Sequence, residues 1–151
     1  MTPARPVEGL FVGLMSGTSI DGIDGVLARF DAAGRLRQTL AHAALPMPDA
    51  LRQTLTALQS PGPDELTASA LAANALADRY ADCVDALLQA STRAAADVVA
   101  LAAHGQTVRH DPARGYTIQL LNGARLASLT GIDTVTDVRS ADIAAGGQGA
   151  P

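Results

Sequence analysis

The hydrophobic residues of this chain fall first into short runs and later into a helical repeat, and the change of period marks out its elements. Leu10 to Met15 is an apolar run closed by Ser16-Gly17-Thr18-Ser19; a run this short, bounded by turn residues, predicts a buried strand. Ile23, Val26, Leu27 and Phe30 continue as a second strand that ends at Asp31-Ala32-Ala33-Gly34, and Leu36 to Leu45 gives a third. Three consecutive strands with tight turns predict an antiparallel meander.

Pro48 to Leu58 predicts a short helix with proline in its first turn, and Ser60-Pro61-Gly62-Pro63 breaks it. From Asp64 onward, Leu66, Ala70, Ala73, Leu76, Tyr80, Val84 and Leu87 recur every three or four residues. This is one face of a long amphipathic helix, with Asp64 as its N-cap. Val98 to Ala103 predicts a continuous apolar strand that delivers His104-Gly105-Gln106-Thr107 at its end, and Tyr116 to Leu121 another after the Asp111-Pro112 turn. A helix from Asn122 to Thr130 is bracketed by an N-capping Asn122 and a C-terminal Gly131. Asp133 to Val138 is a last short strand, and Gly146-Gly147-Gln148-Gly149 a closing loop. This order predicts one layered α/β domain with a mixed sheet over residues 1–151. No helix is foreseen to cover the last strand before Pro151, which reads as truncation.

Composition narrows the partners. Hydrophobic residues are 48% of the chain and charged ones 17%, a globular balance. The eleven basic residues are scattered and the net charge is −4, so the clustered basic patch that nucleic acid needs is missing. There is neither an apolar run long enough for a bilayer nor a basic region followed by a signal core at the N-terminus, so the expected partners exclude a membrane and the expected location is cytoplasmic. The single cysteine, Cys83, falls on the apolar face of the helical repeat, which assigns it to packing in a reducing compartment. With aromatics at 3%, the core must be built of small and branched aliphatic side chains that allow close helix-to-sheet contact.

Three segments carry candidate chemistry. In the first, Gly17, Gly22, Ser16, Thr18 and Ser19 offer backbone amides, hydroxyls and open space in one turn, which is what a phosphate tail requires. The carboxylates of Asp21 and Asp24 would repel phosphate unless a cation such as Mg2+ lies between. No lysine follows as in a Walker loop and no helix opens as in a dinucleotide fingerprint, and an ordinary hairpin turn fits the same residues. In the second, His104-Gly105-Gln106-Thr107-Val108-Arg109-His110 supplies donors and acceptors suited to sugar hydroxyls, with Arg109 able to hold a carboxylate bidentately. A structural strand-to-loop transition is the plain alternative; zinc is disfavoured because His104 and His110 have no further ligand at suitable spacing. In the third, Asp137 and Arg139 stand two apart at a strand end, where they could pair with each other or reach a substrate, ahead of the glycine run.

Taken together these segments resemble the anhydro-N-acetylmuramic acid kinase family. The matching stretches are GLMSGTSIDGID at residues 13–24, AHGQTVRHDP at 103–112 and TGIDTVTDVRSADIAAGGQGAP at 130–151. The resemblance implies the fold of the actin, hexokinase and chaperone ATPase superfamily, of which this would be the first domain, truncated and without the second. It further implies an enzyme that uses ATP and water to open the 1,6-anhydro ring of anhydro-N-acetylmuramic acid and phosphorylate O6 for cell-wall recycling. Gly17, Thr18, Ser19, Ile20, Asp21, Gly22, Ile23 and Asp24 would then belong to the ATP site, with Asp21 toward Mg2+, and His104, Gly105, Gln106, Thr107, Arg109, Asp137 and Arg139 to the sugar side. Two positions depart from the family pattern: Val138 stands where an aromatic residue is common, and Ala141 where a second basic residue is. The family's water-activating aspartate lies in a later motif, so the 151 residues alone are expected to be inactive. The resemblance allows a homodimer of the complete protein. Another kinase or ATPase of the same superfamily, or a non-catalytic module binding peptidoglycan fragments, are the competing readings.

Overall fold

A computed structural model describes residues 7–149; the first six residues and the last two, which include the end of the third motif, lie outside it. The meander forms as the pattern predicts. Strands β1 (Gly9–Met15), β2 (Gly22–Phe30) and β3 (Leu36–Pro46) pair antiparallel in sequence order. Strand β4 (Val98–Ala103) then joins the far side of β1 in parallel, and β7 (Thr134–Thr136) joins β4 in parallel. The result is a five-stranded mixed sheet of order β3-β2-β1-β4-β7. Its central strand is therefore the first in sequence among the described residues.

Alternation along β1 and β2 separates two faces. Leu10, Val12, Leu14, Ile23 and Leu27 are buried beneath the long helix α2 (Glu65–Ser91), which follows the short helix α1 (Asp49–Ala57). From α2 come Ala72, Leu76, Tyr80, Cys83, Val84 and Leu87. Each large aliphatic side chain so buried contributes about 1.5–3 kcal/mol. Contact is closest at Gly25, where an added Cβ would lie 2.6 Å from the Cys83 sulfur and 3.0 Å from Leu14 and Leu87 side-chain carbons. The opposite face of the sheet carries Phe11, Val26, Phe30 and Val135, which remain partly or largely exposed. There Phe11 and Phe30 meet edge to face with ring centroids 5.8 Å apart.

Four local readings need correction. The buried face of α2 runs through Ala72 rather than Ala70, and Leu66 is 85% exposed; in an alanine-rich first half, methyl groups alone discriminate poorly between faces. Asp64 does precede α2, but its φ is 51° and its carboxylate accepts from the Thr67 hydroxyl at 2.7 Å instead of capping a backbone amide. Gln106–Asp111 is a strand, β5, which forms a separate hairpin with β6 (Tyr116–Leu120). Its alternation places Gln106 and Val108 inward, a period-two signal masked by the polar side chains. Finally, β7 stops at Thr136, and Asp137 caps a helix α4 (Val138–Ala144) that follows the last strand, where none was foreseen. Helix α3 (Gly123–Thr130) matches its prediction: the Asn122 side chain accepts from the Arg125 amide at 3.0 Å, and Gly131 ends it at φ 68°. None of these described helices is long and apolar enough to cross a membrane.

Candidate functional site

Because β1 and β4 run parallel, both deliver their following turns to the same end of the sheet. The amide of His104 donates to the Leu14 carbonyl at 3.3 Å, so the two strand ends are held side by side. Between them opens a cavity of about 330 Å³ lined by Met15, Asp24, Ala103, His104 and Val138 among others. Ligands of open sheets of this kind gather beyond the carboxyl ends of parallel strands.

The β1–β2 turn is a built structure. The amide of Ile20 donates to the Gly17 carbonyl at 3.1 Å, the Ser19 hydroxyl donates to the Asp21 carboxylate at 2.7 Å, and the Asp21 carbonyl accepts from the Met47 amide at 2.9 Å. Ile20 adopts φ 54° although β-branched, and its side chain is 3% exposed. A conformation of this kind costs on the order of 1–3 kcal/mol and persists because the core grips the side chain. The consequence is a reversed bend with Gly17, Thr18 and Ser19 outward while Ile20 and Ile23 anchor it from behind. Ile20 and Ile23 can thus serve a ligand only through their backbone. Asp21 and Asp24 are exposed, and Asp24 has the His42 imidazole 3.5 Å away.

At the β4 end, Arg139 Nε lies 3.0 Å from His104 Nε2, and His104 Nδ1 lies 2.9 Å from the Gly105 carbonyl. Gly105 has φ 78°, and a Cβ there would meet the Leu120 carbonyl oxygen at 2.9 Å. Gln106 is 1% exposed, and its Oε1 has no hydrogen-bond partner among the described residues. An orphaned buried acceptor is uncommon and calls for a donor such as a water or ligand. Asp137 accepts from the Ser140 amide at 3.3 Å, so it organises α4 and is not paired with Arg139 as the sequence spacing allowed.

The remaining predicted residues point elsewhere. Thr107 donates to Gln119 across the hairpin at 2.7 Å. Arg109 donates to the Leu58 carbonyl and pairs with Glu65 at 3.2 Å, tying β5 to the start of α2. The structure thus brings together the β1–β2 turn, His104, Gly105 and Arg139, and leaves Thr107 and Arg109 with protein partners of their own. Among the described residues no group of three or more His, Cys, Asp or Glu side chains is gathered as a metal site.

Sequence reasoning gave Tyr80 only a place in the core. Its hydroxyl lies 3.1 Å from the Ser16 hydroxyl at the root of the turn. The available signal was chemical: a tyrosine on a buried aliphatic face has an O–H that must find a partner. Burial pushes the phenol's pKa up, opposed by the Ser16 hydroxyl and by the backbone at Gly105 and Ser16.

A mixed-sheet α/β domain with hydroxyl- and glycine-bearing turns at its parallel strand ends is the class this fold and site define. The family model described as anhydro-N-acetylmuramic acid kinase matches residues 9–151. Proteins of that name from Bordetella petrii, Bordetella pertussis and Burkholderia pseudomallei are 62%, 58% and 56% identical to it over 150, 150 and 151 residues. These alignments take in 99–100% of the chain but 38–39% of the relatives' own length. The chain belongs to the anhydro-N-acetylmuramic acid kinase family.

Proposed function

We propose that these residues form the first domain of an ATP-dependent kinase that hydrolyses the 1,6-anhydro ring of anhydro-N-acetylmuramic acid and phosphorylates O6. The fold is then the nucleotide-binding half of an actin- and hexokinase-like ATPase. The observation that carries this reading is the strained, internally bonded β1–β2 turn set beside His104 and Arg139, in a chain belonging to this family. In this reading Gly17, Thr18 and Ser19 present amides and hydroxyls to the phosphate tail of ATP, since none of the three is buried in the turn.

Mg2+ fits the donor set in a limited way. It is usually held by one or two carboxylates, waters and the nucleotide's own oxygens, and Asp21 and Asp24 are both exposed on this turn. Asp21, oriented by Ser19, is the residue that would hold it, and the ion would neutralise charge on the phosphate oxygens. On the sugar side, Arg139 and the buried Gln106 acceptor are the groups suited to a hydroxylated, carboxylate-bearing ring.

Phosphoryl transfer depends on positioning and charge stabilisation around phosphate and nucleophile together. One wall of a cleft does not supply that, so the 151 residues alone are inactive in this reading. The test is phosphorylation of anhydro-N-acetylmuramic acid by the protein made from the complete reading frame, with Asp21→Ala as control. Turnover that falls on the order of 100-fold in the variant supports the assignment. Equal activity of the variant, preference for glucose or N-acetylglucosamine, or turnover by residues 1–151 alone would each count against it.

A further inference from the structure

One buried side chain reaches the root of the β1–β2 turn from below. Tyr80 sits in the middle of α2 with 0% exposure, packed among the aliphatic residues of the core. Phenylalanine would fill that space without bringing a polar group into it, and burying a hydroxyl is costly unless it is bonded. The hydroxyl reaches Ser16, itself 4% exposed, at 3.1 Å. The backbone of Gly105 also bears on the phenol, from the turn that follows β4. The His104 amide bond to Leu14 is where the β1–β4 pairing closes. Past it, the described hydrogen bonds give the two turns no direct link to each other.

We propose that Tyr80 is a positioning residue, whose buried hydroxyl holds the β1–β2 turn through Ser16 at a set spacing from the strand end that carries His104 and Gly105. The proposal rests on the kinase reading above, in which the first turn bears phosphate and the second faces the sugar. Losing the hydroxyl leaves each turn its own bonds: Ile20 to Gly17, Ser19 to Asp21 and Met47 to Asp21 in the first, and His104 to Gly105 in the second. Each half still binds its ligand. What relaxes is their relative placement, and a small misplacement of reacting groups lowers the rate by up to about 100-fold.

The experiment compares Tyr80→Phe, Ser16→Ala and the double variant with the wild type, all in the protein made from the complete reading frame. The expected result is a kcat lowered about 10- to 100-fold in either single variant, with KM for ATP and for the sugar each within about threefold of wild type. The double variant falls no further than the lower single, because both changes break one bond. An unchanged kcat, a loss confined to KM, or additive losses overturn the proposal. Ser16→Ala leaves the core intact, so its result decides the matter if Tyr80→Phe fails to fold. Amide exchange on the ligand-free protein gives a second readout that does not need activity: Tyr80→Phe is expected to speed exchange in residues 16–22 and 104–106 together. If only one of these segments responds, or neither, the coupling is overturned even in a protein that proves to have another substrate. An inactive wild type whose two segments do respond together sinks the kinase reading while supporting the link.

Discussion

The Nε–H of Arg139 points at Nε2 of His104 across 3.0 Å. A guanidinium can only donate, so Nε2 must accept, and the ring proton therefore sits on Nδ1, where the Gly105 carbonyl receives it at 2.9 Å. The two contacts together select one ring orientation and one tautomer for His104, and they brace Arg139 against the end of β4. The pair was not anticipated from sequence, which set Arg139 beside Asp137.

Arg139→Lys keeps the charge but loses the directed Nε donor. In the kinase reading proposed above, kcat/KM of the complete protein for the sugar is expected to fall at least about tenfold, the equivalent of about 1.4 kcal/mol, with a smaller change in KM for ATP. Steady-state kinetics in both substrates measure this. Wild-type values in the lysine variant would remove Arg139 from the sugar side.

Gly105→Ala places a methyl against the Leu120 carbonyl in a backbone region that alanine avoids. A loss of about 1–3 kcal/mol in unfolding free energy is expected from urea titration. Gly62, with open space around it, is the control, and Gly62→Ala is expected to be neutral within about 0.5 kcal/mol. Equal stability of the two variants would mean that the β4–β5 bend is not rigid.

Burial pushes the Cys83 thiol up to about 11 from an ordinary 9.0, with the Asp24 carboxylate adding to the effect. A folded-state pKa above the unfolded one gives stability that is complete below about pH 9 and is lost as pH rises through about 11. Chemical denaturation from pH 8 to 11 is expected to show this decline, part of it shared with the similarly raised Tyr80 phenol. Cys83→Ala should flatten the slope. Alkylation of the native thiol at pH 8 should be slow and become fast on unfolding; rapid native labelling would show that the helix opens readily.

The face of the sheet opposite α2 exposes Phe11, Val26, Phe30 and Leu36 around a groove of about 580 Å³. An apolar surface of this kind promotes association. Residues 1–151 on their own are expected to bind an apolar dye and to elute larger than a monomer, with Phe11→Ser and Phe30→Ser reducing both effects. A monomeric, dye-negative chain with a sharp thermal transition would contradict this.

How much was legible follows from what each element is made of. The meander, β4 and α3 carry unambiguous runs or caps, and they stand within a residue or two of their predicted bounds. The first half of α2 is alanine-rich, and its buried face turned out shifted because a methyl group commits weakly to either side. Helix α4 was hidden by reading Asp137 and Val138 as the continuation of a strand; Asp137 in fact takes φ 55° and turns the chain into a helix. For the candidate site, the β1–β2 turn was visible as a cluster of small hydroxyl and glycine residues. The roles of Ser16, Tyr80 and the His104–Arg139 pair depend on contacts over 35 to 64 positions, for which local spacing carries no signal.

Gly25 governs more than local fit. It sets how deeply α2 beds into the sheet, and Tyr80 lies less than one turn before Cys83, the residue that touches bottom there. A single methyl at position 25 would raise the helix like a shim under a lever and draw the phenol back from Ser16. An uncharged change in the core would then be read out as misalignment at the cavity between the β1 and β4 ends.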